Sequence, residues 1–154
     1  MTEANKLVEA LSGPDVKTAL FKLANLATRT DGKVAAVAAD AANTIVKVMR
    51  THAADPTIAE NACWALGNIA SLDTGSQACA AAGAQIAIIY VMYVHGHHEG
   101  VAHHGCVALG LIAPTDVISA RRAVAAAMEM QPEATRVSGP RADRLLREMN
   151  VYGE

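Results

Sequence analysis

The chain has 154 residues and a formal net charge of -2; 52% of it is hydrophobic, but only 3% aromatic and 18% charged. So much apolar content speaks against a disordered chain, and the near-neutral balance against a general nucleic-acid binder. Its 33 alanines speak against an all-β fold, because Ala is the best helix former and is depleted in strands.

In chain order, residues 2–11 form an amphipathic helix that Ser12-Gly13-Pro14 ends. Pro14 starts the next, reaching about residue 28, since proline is tolerated at the first helical position. A short helix at 32–39 and a longer one at 41–51 follow, and Asp55-Pro56 caps and starts the helix that carries Trp64. Further helices are expected at 75–81, 84–94 and 99–113, then after Pro114-Thr115-Asp116 at 119–130, and from Ser138-Gly139-Pro140 to about 150. The longest apolar run, residues 86–94, is too short to cross a bilayer, which takes about 20 residues. The N-terminus has no apolar segment behind a basic start, and Cys63, Cys79 and Cys106 are odd in number and form no CxxC pair. The expectation is a reduced compartment, cytoplasm or nucleus, with no membrane contact and no cofactor.

The chain repeats itself. Residues 61–70 and 104–113 agree at six of ten positions at an offset of 43, and residues 18–27 agree with 61–70 at four of ten, including Leu23/Leu66 and Asn25/Asn68. Residues 39–52 and 82–95 share six of fourteen at the same offset, among them Met49/Met92 and His52/His95. Helical units with a period of about 40–47 residues cannot bury their apolar faces alone and stack into one continuous core. Leu66, Ile69, Leu109 and Ile112 are spaced to face that core, and Ala62, Ala65, Ala70 and Ala108 let helices come close.

The run Glu60-Asn61-Ala62-Cys63-Trp64-Ala65-Leu66-Gly67-Asn68-Ile69-Ala70 resembles the third helix of an armadillo repeat. Ala81-Ala82-Gly83-Ala84-Gln85-Ile86 resembles the small-residue turn between the family's first and second helices. The resemblance implies an all-α fold: a right-handed α-solenoid of about three repeats over residues 14–114, with an N-terminal cap at 1–13 and a C-terminal cap at 115–154, as a single domain over 1–154. It also implies a concave groove that binds an extended segment of another protein. There an Asn holds the peptide backbone and a Trp walls its side chains. In this chain the corresponding rows are Thr18, Phe21, Asn25 and Thr28; Asn61, Trp64, Asn68 and Ser71; and His104, Val107, Leu111 and Pro114. The first two rows keep an aromatic plus Asn and the third loses both, so a peptide site is expected to stop near it. The alternative reading makes Trp64 a packed core residue and Asn68 a satisfied contact between helices. Eight residues after Phe21, Trp64 and Val107 stand Arg29, Leu72 and Thr115, none of them acidic, which speaks against a receptor for basic signals.

Residues 51–114 hold all six His, no Lys or Arg, and only Asp55, Glu60, Asp73 and Glu99 as acids. His97, His98, Glu99 and His103 are weak metal candidates there; the plainer reading is a polar loop and helix start. The uncharged stretch also suits self-association or docking in a larger complex as a scaffold subunit. No Gly-rich phosphate loop, GxSxG or HExxH motif appears, and Cys106 and His104 at i and i+2 face apart on a helix, so no enzyme is expected. The leading expectation is an interaction module whose partner is another protein or extended peptide.

Overall fold

The computed structural model describes residues 1–95 and 97–112. Eight helices account for nearly all of them: α1 (Glu3–Ala10), α2 (Val16–Leu26), α3 (Thr30–Ala38), α4 (Ala41–Thr51), α5 (Pro56–Ala70), α6 (Asp73–Ala81), α7 (Ala84–Val94) and α8 (Glu99–Leu111). Among the described residues there is no strand. The expected helices from 119 and from 138, and with them the C-terminal cap, lie outside the described residues.

The helices begin where the chain supplies a cap. Thr2 accepts from the Asn5 amide at 3.1 Å, and Asp55 accepts from the amides of Thr57 and Ile58 at 2.9 and 3.2 Å, with Pro56 in the first turn. Pro14 does not start α2 as expected. Asp15 caps it by accepting from the Thr18 amide, and the helix begins at Val16. A cap oxygen satisfies an orphan amide, whereas proline at the first position only avoids creating one, so the cap decides the boundary.

Helices α3, α4 and α5 start at residues 30, 41 and 56, and α6, α7 and α8 start 43 later, at 73, 84 and 99. Two three-helix units therefore follow one another, preceded by α1 and α2. The same offset relates the turns. Asp40 between α3 and α4 has φ 57° and Gly83 between α6 and α7 has φ 75°, both in the left-handed region that reverses the chain in one residue.

The helix α5 lies between α2 and α8 and packs more extensively on them than any other pair of elements does. The remaining helices stand behind this layer. Leu20, Leu23, Ile45, Met49, Leu66, Ile69, Ile88, Val91 and Val101 are fully buried in one contiguous core. The expected core positions Leu66, Ile69 and Ile112 are buried, and Leu109 is half-buried against the cluster. Ala62, Ala65, Ala70 and Ala108 are buried as well, and a Cβ on Gly67 would touch the Ala108 Cα at 3.6 Å. Small residues thus bring α5 and α8 to close backbone approach.

No single described helix is long and apolar enough to cross a membrane; α6 and α7 together reach that length but are bent by 74° at their junction.

Candidate functional site

The three adjacent helices α2, α5 and α8 present one row of rings. The Phe21 and Trp64 ring centroids are 5.6 Å apart, and those of Trp64 and His104 are 6.0 Å apart. Phe21 is 51% exposed, while Trp64 and His104 are half-buried, so the row lies open along its length. The third row has Val107 where the others have an aromatic. Its ring comes instead from His104, one turn earlier on α8, so the aromatic line does not end at the second row as the spacing suggests.

Burial pushes the His104 imidazole below its usual pKa, the neighbouring His103 adds to this, and the Glu60 charge only partly opposes it. His104 is therefore neutral at pH 7 and meets Trp64 as an uncharged ring. His103 touches it edge-on, with centroids 5.1 Å apart.

Amides and hydroxyls border the rings. Thr18, Asn25, Thr28 and Ser71 are exposed, and Asn61 and Asn68 half-buried. Asn68 does not stand free for a ligand. Its side-chain amide donates to the Ala24 carbonyl at 2.9 Å, one of the carbonyls that the end of α2 leaves without a helical partner. One of its two N–H groups thus ties α5 to α2, as the packed-contact reading anticipates, and the amide oxygen is left over. Asn25, its equivalent on α2, makes no side-chain hydrogen bond among the described residues. The hydroxyls of Thr28 and Ser71 each donate to the carbonyl three residues back, at 2.7 Å in both cases. They finish their helices at equivalent positions and retain only acceptor capacity.

An ion pair and, one period later, a carboxylate–imidazole contact flank the rings. The Lys17 ammonium on α2 meets the Asp55 carboxylate, the cap of α5, at 3.0 Å. One period later Glu60 on α5 faces His98, the cap of α8, at 3.8 Å. The His98 Nδ1 accepts from the Val101 amide at 3.3 Å, so Nε2 carries the proton turned toward Glu60. Gly100 leaves room for the Glu60 carboxylate over the first turn of α8, where negative charge is favourable. Positions 17/60 and 55/98 are each separated by the repeat offset, so the pair was open to discovery in the sequence. Its exchange of residue types hides it from identity matching.

Burial raises the Asp55 pKa, but the hydrogen bond from Lys17, the two amide hydrogen bonds and the Lys17 charge together outweigh it and hold the carboxyl below its ordinary value. The stabilisation from this group is complete above the unfolded carboxylate value of about 3.9 and disappears as pH falls through the lower folded value. Asp55→Ala should therefore cost about 1 kcal/mol at pH 7, most of it from the lost cap because the ion pair is partly exposed. Urea unfolding of the two proteins from pH 7 to pH 2 should show this gap closing only below pH ~4.

The metal candidates do not converge. His98 is occupied as a cap, His97 and His103 are exposed, and among the described residues no three His, Cys, Asp or Glu side chains are placed to hold an ion. His95 donates from Nε2 to the Ala53 carbonyl at 2.7 Å, pinning the turn between α4 and α5. Burial, with smaller contributions from Cys106 and Glu60, pushes the Cys63 thiol up to about 12, and burial alone does the same to Cys79. Both stay protonated at neutral pH and serve as small packed residues.

Residues 30–71 match the family model of the Armadillo/beta-catenin-like repeat, a span that covers α3, α4 and α5. None of the curated proteins gives a significant match to the chain. Armadillo repeats generally mediate contacts between proteins. Residues 30–71 thus form an armadillo-type repeat, and the all-helical stack of the described residues is that of an α-solenoid.

Proposed function

We propose that the chain is a protein-interaction module that holds an extended segment of a partner across α2, α5 and α8. The observation that carries this reading is the open aromatic row Phe21–Trp64–His104, bordered by the unengaged amide of Asn25 and by Asn61. Rings give apolar walls for side chains, and an amide offers donor and acceptor together, as a neighbouring strand does.

The test separates binding from folding. Trp64→Ala and Asn25→Ala each remove a ligand-facing group, whereas Asn68→Ala also breaks the bond to Ala24 and should cost about 1 kcal/mol of stability. Partner segments captured by the whole chain should lose at least about tenfold affinity to Trp64→Ala, with a melting curve that stays cooperative. Segments that bind Trp64→Ala and Asn25→Ala as well as the wild type would show that the site lies elsewhere.

A second reading rests on α7. Its residues Ile86 and Tyr90 are exposed where the equivalent positions of α4 carry Asn43 and Lys47. An uncharged face meets its own copy without like-charge repulsion, so this one suits a two-fold contact between two chains. Sedimentation velocity at several concentrations tests it: a monomer throughout removes self-association, and a dimer that Tyr90→Lys dissociates supports it.

A further inference from the structure

The three rows differ in charge and polarity, and that difference selects a ligand. Around the first row, α2 carries Lys22, and Arg29 follows the end of the helix. Lys22 makes no ion pair among the described residues. Arg29 meets Asp31 at 3.5 Å, but both side chains are more than half exposed, so the pair is weak and exchangeable. Lys17, by contrast, is held by Asp55. The nearby carboxylates are engaged too: Asp15 caps α2, Asp55 caps α5, and Glu60 sits against His98 and the first turn of α8. The third row is the opposite. Val107 and Leu111, one turn apart on α8, are 45% and 42% exposed, and His104 beside them is uncharged at neutral pH.

Packed helices stand about 8–10 Å apart, so the path from α2 across α5 to α8 is roughly 16–20 Å, which extended chain covers in about six residues. Resting on the groove reading above, we infer that the occupant is an extended segment of about six residues, acidic at the end over α2 and aliphatic at the end over α8. Its carboxylates meet Lys22 and Arg29. Its central side chain lies against Phe21 and Trp64, and its aliphatic end covers Val107 and Leu111.

The probe is a random peptide library of about 12 residues, displayed on phage and panned against the immobilised full chain, with Trp64→Ala as counter-selector. Peptides retained by the wild type and released by Trp64→Ala are the groove binders. Among them Asp and Glu should be enriched over Lys and Arg at one end, and Leu, Ile and Val at the other. Panning against the charge-reversed variant Lys22→Glu/Arg29→Glu should invert the charged end. A selected acidic peptide should bind that variant roughly tenfold more weakly. Both replaced residues are exposed, and a melting curve matching the wild type confirms the variant's fold. Groove binders without acidic enrichment, or with an enrichment that survives charge reversal, overturn the inference and leave the groove standing. A library with no peptide dependent on Trp64 overturns both.

Discussion

Replacing Gly75 by Ala should lower the free energy of unfolding by about 3 kcal/mol. Gly75 lies in the first turn of α6, and a Cβ there would overlap the carbonyl of Ile69 in the last turn of α5. The obstacle is backbone, so no rotamer change relieves it: α6 must move off α5 or the turn must distort. One period earlier Gly32 stands in the same relation to Leu26, with α3 against the end of α2, so Gly32→Ala should cost a similar amount. Gly110 supplies the control. It lies in α8 with nothing among the described residues within 4 Å of the Cβ position, and Gly110→Ala should gain about 0.5 kcal/mol from helix propensity alone. Urea unfolding followed by circular dichroism measures all three. A Gly75→Ala protein as stable as the Gly110→Ala protein would mean that the close crossing does not set the angle between units.

That crossing shows how the fold was legible and where reading stopped. Helix positions followed from the 43-residue offset because stacked units must present matching residues to one core, so identities such as Leu23/Leu66 and Met49/Met92 survive. Gly32 and Gly75 share the offset too, yet nothing in one glycine says that a carbonyl lies against it. The left-handed turns divide in the same way. Gly83 signals its turn by type, while Asp40 takes the same conformation without glycine.

The candidate site was legible as a face and not as a set of contacts. Phe21 and Trp64 share a register, and the structure puts their rings together. His104 reaches Trp64 from a different position of the repeat, which register alone does not show. Asn68 is the instructive case. Its side-chain nitrogen closes a carbonyl of α2, which leaves one N–H and the oxygen uncommitted by that bond. Spacing places an Asn on a face, but only packing reveals which of its hydrogens is already committed.

Leu66→Ala should be the most damaging single truncation in α5, costing about 3 kcal/mol. Leu66 is fully buried, and the carbonyl of the same residue accepts from the Cys79 thiol of α6 at 3.8 Å. In a stacked array, stability is close to a sum of unit terms and interfaces between neighbours. Helix α5 takes part in both of the largest interfaces, with α2 on one side and α8 on the other, so a cavity at Leu66 weakens the contacts that couple the units. The equivalent position on α8 is Leu109, which is only half-buried, and Leu109→Ala should cost about 1 kcal/mol because less apolar area is lost and solvent fills the space. Denaturant curves distinguish the two by shape as well as midpoint. Leu66→Ala should broaden the transition, with the two sides of α5 melting apart, while Leu109→Ala should shift a single transition that keeps its slope. Equal losses from the two truncations would show that α8 is sealed as tightly as α5, and that Val107 and Leu111 belong to a closed core rather than to an open binding face.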